Sequence, residues 1–98
     1  MDIKLYSNPL YSMQVTLNNA QYKLSFKWSE NESAWYMDID GLSDTSIALH
    51  GLRLVGGLDL LEPHAIVELG QLWLVDLSGA NRDPDFDTIQ TDFVLYYE

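Results

Sequence analysis

Two histidines, His50 and His64, have the side chains whose pKa best suits general acid–base chemistry. In covalent catalysis a histidine base activates a cysteine, serine or threonine side chain, and the sequence contains no cysteine. No serine lies in the Gly-x-Ser-x-Gly pattern of a nucleophile elbow. We therefore interpret both histidines as surface or hairpin-flanking residues, with a catalytic role as the alternative.

Three aspartates alternate along one polar stretch, at Asp83, Asp85 and Asp87, with the spacing that opens a calcium-binding EF-hand loop. Counting from Asp83, the position that requires glycine is Thr88, and the position that requires a bidentate glutamate is Val94. We therefore predict a solvated acidic loop and no requirement for a metal. A weak site for a divalent cation is the alternative.

A second carboxylate pair, Asp38 and Asp40, lies two residues apart in a predicted strand. Paired carboxylates at a suitable separation hydrolyse glycosidic bonds. Residues two apart on a strand share one face, and on a polar face they usually carry exposed charge. We interpret this pair as exposed charge, with glycosidase chemistry as the alternative.

Aromatic side chains can form a sugar-stacking platform or a core. The candidates for either role are Trp28, Trp35, Trp73, Tyr96 and Tyr97. Because a chain of 98 residues needs large side chains to fill its interior, the core is the favoured interpretation. Tyr36 and Tyr96 lie on the less apolar faces of their strands, and tyrosine is enriched at protein interfaces. We interpret those two as interface anchors.

A predicted β-hairpin positions most of these residues. Residues 22–28 alternate strictly between apolar side chains and Lys or Ser, which is typical of a half-buried strand. The polar stretch 29–33 interrupts the pattern, and residues 35–40 resume it. Together with a later strand, the hairpin supplies the predicted core: Tyr22, Leu24, Phe26, Trp28, Trp35, Met37, Ile39, Leu72, Trp73 and Leu74.

Other strands flank the hairpin on both sides. Residues 13–17 predict a strand that ends in an Asn-rich turn. Around Gly51 the apolar parity shifts by one residue, which indicates either a β-bulge or a strand partly buried on both faces. Residues 58–69 predict an ordered apolar connection with a helical turn after Pro63.

The last two predicted strands differ in character. Residues 71–77 carry apolar side chains on both faces, which indicates a central strand covered on both sides. Phe93–Tyr97 is β-branched and aromatic and predicts a terminal strand. An edge strand offers unpaired backbone groups to a partner, so we assign Phe93 and Tyr97 to the interface with Tyr36 and Tyr96.

Composition limits the class of protein. The net charge is −10, from 15 acidic and 5 basic side chains, so binding of nucleic acid through a basic face is not expected. No apolar run approaches the ~20 residues of a membrane helix, and no signal peptide is recognised at Met1–Tyr6. We expect a single domain over residues 1–98 that folds in the cytoplasm without processing.

Short strands separated by turn signals predict an all-β fold. The expected architecture is a small single-domain β-sandwich or a partly open β-barrel, with about six to eight mostly antiparallel strands. No cofactor is expected.

The order of landmarks resembles that of the phage baseplate plug proteins of contractile tails, which are best known from a cyanophage baseplate. The landmarks are the aromatic hairpin, the run Gly51-Leu-Arg-Leu-Val-Gly56, Leu58–Leu61, Gly70 before a core strand, and the closing Phe93–Tyr97. They span most of the chain, from about Met13 to Tyr97.

The resemblance implies a structural component of a contractile-tail hub that helps to close the tube lumen. Its partners would be tail and baseplate proteins, and the protein would form a cyclic, threefold homo-oligomer in the virion tail. The family has no catalytic residue or cofactor to carry over. The alternatives are a carbohydrate- or peptide-binding β-module and a small enzyme on the same kind of fold.

Overall fold

The computed structural model describes residues 2–17, 19–42, 48–57, 60–61, 70–80 and 82–98. Within them the all-β prediction is confirmed, because strands dominate and the helix content is small. In chain order the elements are β1 (Asp2–Ile3), β2 (Leu10–Leu17), β3 (Ala20–Ser29), β4 (Ala34–Gly41), β5 (Ala48–Arg53), β6 (Leu72–Asp76), α1 (Thr88–Asp92) and β7 (Phe93–Tyr97).

The strands form two antiparallel sheets. One has the order β2-β3-β4-β5, and the other has the order β1-β7-β6. Neither sheet closes into a barrel, so the β-sandwich is the correct member of the two predicted architectures. Each sheet turns one face towards a shared core and leaves its other face uncovered among the described residues.

The predicted central hairpin is formed by β3 and β4. Trp28 lies directly opposite Trp35, and the turn between the strands closes at Ser33, whose φ is 50°. Strict alternation puts one set of side chains into the core and the polar set outside. The hairpin residues that are fully or almost fully buried are Tyr22, Leu24, Phe26, Trp35, Met37 and Ile39.

The second sheet covers this hairpin face with aliphatic side chains. Leu72, Leu74 and Leu95 are fully buried and belong to the same core cluster as the hairpin residues. Trp28 is partly buried and packs against that cluster. Trp73, which was predicted to lie in the core, is half-buried on the opposite face of β6 and does not belong to the cluster.

The parity shift at Gly51 is a β-bulge. Leu49 lies opposite Ile39, whereas Leu52 lies opposite Met37, so β5 contains one more residue than β4 between these pairs. Gly51 has a φ of +77°, a conformation that glycine adopts without strain. The bulge keeps Leu49 and Leu52 on the inner side while the exposed residues between them face outwards.

Two strand assignments from the sequence are wrong. The strand β6 lies at the end of its sheet and is covered on one face, because Val75 and Leu77 are exposed. The terminal strand β7 lies between β1 and β6, so it is the centre of the sheet and not an edge. The helical turn predicted after Pro63 and the residue His64 lie outside the described residues.

Candidate functional site

An exposed apolar surface covers the outer side of the three-stranded sheet. We define this β6–β7 face by Trp73, Val75, Leu77, Val94 and Tyr96. Trp73 pairs with Tyr96 and Val75 pairs with Val94, so these side chains are cross-strand neighbours. The exposed fractions are 38% for Val75, 64% for Leu77 and 37% for Tyr96. Contiguous exposed apolar residues of this kind are typical of a protein interaction surface.

The four predicted interface residues do not lie together. Tyr96 belongs to the β6–β7 face. Phe93 is 3% exposed and lies in the core beneath the Arg82 guanidinium, so its assignment to an interface is wrong. Tyr97 is half-buried against the core, and burial raises the pKa of its hydroxyl. These differences arise because β7 is a central strand whose alternate residues point inwards.

Tyr36 lies on the other side of the molecule. It is half-buried on the outer face of β4, and its hydroxyl donates a hydrogen bond to Glu32 Oε2. Beside it runs a groove of about 400 Å³ on the outer face of the four-stranded sheet. The groove is lined by Leu10, Ser25, Phe26, Lys27, Ser29, Glu32, Tyr36, Asp38 and Gly51.

His50 lies beside a carboxylate on this same outer face. Its Nε2 is 2.7 Å from Oδ1 of Asp40, and the hydrogen bond and the charge of Asp40 raise the pKa of His50. The histidine side chain is 60% exposed and does not line the groove. Asp38 accepts a hydrogen bond of 2.8 Å from the Gly51 N–H. Both aspartates therefore hold the β-bulge, which is a structural role.

The alternating aspartates have a simple structural origin. Asp83, Asp85 and Asp87 are exposed, whereas Pro84 is buried and Phe86 is half-buried between them. The Phe86 ring stacks on Trp35, with 5.8 Å between ring centroids and 6° between ring planes. An extended loop that buries every second residue leaves the carboxylates pointing outwards. In the described part of the chain no three His, Asp or Glu side chains converge on a common metal position.

An ion pair between the buried Asp76 carboxylate and the partly exposed Arg82 organises the loop after β6, and sequence reasoning missed it. The side chain of Asp76 is fully buried and accepts hydrogen bonds from the backbone N–H groups of Ser78 and Arg82. The Arg82 guanidinium makes two further bonds to it, of 2.9 and 3.1 Å. These bonds hold the pKa of Asp76 well below its usual range. The signal in the sequence was its position: Asp76 falls on the same face of the strand as the apolar residues Leu72 and Leu74, and that face is buried.

Comparison with known proteins identifies the family. A family model described as "Cyanophage baseplate Pam3 plug gp18" matches residues 1–98. The chain belongs to this baseplate plug family. A search of curated proteins found no match. The resemblance inferred from the sequence landmarks is thereby confirmed over residues 1–98.

The plug family is one of phage structural proteins, which agrees with a fold whose aromatic residues serve mainly as core. Two of the three tryptophans pack into the interior cluster or against it, so they do not form an exposed row. No helix in the described segments is long and apolar enough to cross a membrane.

Proposed function

We propose that this protein is a structural plug of a phage tail baseplate. In this role it binds neighbouring baseplate and hub proteins of a contractile tail and helps to close the lumen of the tube. The observation that carries the proposal is the match of the plug family model over residues 1–98. The protein acts by occupying a position in an assembly and not by converting a substrate.

The β6–β7 face supports a role in assembly. Its residues are apolar, and its centre is formed by the cross-strand pair Trp73 and Tyr96. Tryptophan and tyrosine are enriched among the residues that dominate binding at protein interfaces. Burial of the side chains of Val75 and Leu77 against a partner removes apolar area from water, which favours binding. We propose that this face contacts a neighbouring baseplate subunit.

The acidic surface agrees with a position beside a DNA channel. At a net charge of −10 the protein repels phosphate backbones, so it is not expected to bind the DNA that passes through the tail. We propose that it is made in the cytoplasm and then incorporated into the virion tail as a cyclic homo-oligomer.

Deletion of the gene in the phage or prophage that encodes it tests the proposal. We expect purified wild-type tails to contain the protein, and the deletion to reduce the yield of infectious particles. Complementation with Leu77→Asp is expected to leave less of the protein in tails, because a charge then lies on the β6–β7 face. Asn31→Asp makes the same charge change on the exposed hairpin turn and should be incorporated normally.

Two results would overturn the proposal together: tails that lack the wild-type protein, and a deletion strain that yields normal numbers of infectious particles. Binding of a soluble glycan or peptide by the purified chain would then support the binding-module alternative. Equal melting temperatures of the Leu77→Asp and Asn31→Asp variants are needed to show that both proteins are folded.

A further inference from the structure

The strand β2 is a long sheet edge without the usual protection. The other sheet ends among the described strands are protected or short. β5 contains the bulge and the polar residues His50 and Arg53. β6 is bonded on its outer side to Gly56, Gly57 and Leu60, and β1 has two residues. In contrast, β2 has eight residues, no charged side chain, no proline and no shift in its register with β3.

The free backbone groups of β2 follow from its pairing with β3. The Trp28 N–H donates to the Pro9 carbonyl, so the odd-numbered residues of β2 bond to β3. The N–H and C=O groups of Ser12, Gln14 and Thr16 therefore point away from the sheet. The described residues provide no partner for these groups, whereas the Leu10 N–H is capped by Asn8 Oδ1 at 3.3 Å.

The inward-facing side chains of β2 are not completely buried. Tyr11, Met13 and Val15 face the core side but are only partly buried, while Leu17 is fully buried. A strand added beside β2 would place its own inward side chains against these three residues. Apolar side chains at those positions would remove the remaining exposed area from water, which favours binding.

The outward side of β2 and β3 has a charge opposite to that of the whole chain. Its only charged residues are Lys23 and Lys27. Lys23 lies between Gln14 of β2 and Asp40 of β4, whereas Lys27 lies between Leu10 and Tyr36. An added strand would lie about 10 Å from β3, two strand spacings away. A lysine side chain is long enough to reach across β2 towards such a strand. An acidic side chain on the outward face of the added strand would therefore be attracted chiefly to Lys27, which has no carboxylate directly opposite it in the sheet.

We propose that β2 is the docking edge for an extended segment of a neighbouring baseplate protein, in which apolar residues alternate with acidic ones. The segment adds a fifth strand to the four-stranded sheet, with its backbone bonded to Ser12, Gln14 and Thr16. A second copy of this chain fits less well. Pairing of two β2 strands would offer no carboxylate to Lys27, because β2 has no acidic side chain. This inference rests on the proposed function, because it takes the partner to be a baseplate protein.

Amide hydrogen exchange tests the inference directly. Exchange is measured for the free protein and for the protein in purified tails. We expect the Ser12, Gln14 and Thr16 amides to exchange rapidly in the free protein and at least about tenfold more slowly in tails. Rapid exchange of all three amides in tails that contain the protein overturns the docking edge and leaves the proposed function intact. Absence of the protein from tails overturns the proposed function instead.

Two matched pairs of variants separate the backbone and charge contributions. Gln14→Pro removes the outward N–H that a partner needs but no bond within the sheet, and Gln14→Ala keeps that N–H. We expect only the proline variant to be lost from tails. The double variant Lys23→Gln, Lys27→Gln should be depleted from tails, whereas Lys4→Gln should not. If the pure wild-type chain is a dimer and Gln14→Pro makes it monomeric, the occupant is a second copy and the proposed partner is wrong.

Discussion

Trp28 and Trp35 lie directly opposite each other in the central hairpin, with 5.6 Å between their ring centroids, yet their surroundings differ. Trp35 is fully buried, and its Nε1–H donates to the Asp85 carbonyl at 3.1 Å. Trp28 is only partly buried, and its buried Nε1–H has no acceptor among the described residues. The two rings thus contribute unequally to the stability of the hairpin.

We predict that Trp35→Ala lowers the free energy of unfolding by about 3–5 kcal/mol, because it creates a large cavity in the core. Trp28→Phe should cost about 1 kcal/mol or less, since it removes an unpaired donor and keeps an aromatic ring. Urea denaturation of both variants gives the two values. Equal costs would show that the hydrogen bond to Asp85 and the burial of Trp35 do not distinguish the two positions.

Gly70 is predicted to tolerate no side chain. Its φ is +98°, and a Cβ there would lie 2.7 Å from the backbone oxygen of Glu98. That oxygen accepts the Gln71 N–H, so the bond would also be disturbed. Gly79→Ala is the matched control, because its φ is +81° and a Cβ would meet nothing within 4 Å. We expect Gly79→Ala to cost about 1–2 kcal/mol from backbone strain alone.

Gly70→Ala should exceed that control by about 1–3 kcal/mol, the typical cost of forcing extra atoms into a packed site. Thermal denaturation of the two variants measures the difference. Melting temperatures that agree within error would mean that Glu98 moves aside freely and that the close approach has no structural importance.

The His50–Asp40 pair gives a pH-dependent prediction. The pKa of His50 in the folded chain is raised, chiefly by the hydrogen bond to Asp40 and then by its charge. The pair therefore contributes stability that is fully present below the pKa of His50 in the unfolded chain and is lost as the pH rises through the raised value. We expect an NMR titration to place the pKa of His50 above about 6.5 and Asp40→Asn to lower it. The same titration in Asp83→Asn should be unchanged; a shift there equal to that in Asp40→Asn would contradict the assignment.

Strict alternation made the hairpin predictable. The pattern in residues 22–28 and 35–40 specifies which face is buried, and a one-residue change of register would expose every apolar side chain. The bulge at Gly51 was also indicated by the sequence, as one of two interpretations. An extra residue in a strand moves the inward-facing side chains from odd-numbered to even-numbered positions, and the apolar residues make this change at Gly51. These are local signals, and the structure retains them without change.

Strand order was not predictable, and the errors in the interface follow from it. Nothing in Phe93–Tyr97 tells whether β1 and β6 pair on both sides of it, because a β-branched and aromatic strand suits an edge or a centre. Because β7 is the central strand of its sheet, Phe93 lies in the core. The long exposed edge strand is β2, in the other sheet. Trp73 was wrongly predicted to lie in the core for a related reason. Both faces of β6 carry apolar residues, so the sequence does not show which face is buried.

The ion pair between Asp76 and Arg82 makes the stability of the fold depend on pH in the acidic range. The hydrogen bonds from Arg82 hold the pKa of Asp76 far below its usual value, so the folded state favours the ionised carboxylate. A depressed pKa contributes stability that is present above the pKa of the unfolded chain, about 3.9, and is lost progressively as the pH falls below it. We therefore expect Asp76→Asn to melt at a lower temperature than the wild type at pH 7, and the gap to shrink as the pH falls from 4 to about 2. Asp83→Asn, at an exposed carboxylate, should show no such gap at any pH. A gap for Asp76→Asn that stays constant between pH 7 and about 2 would show that the Arg82 contact does not depend on the charge of Asp76.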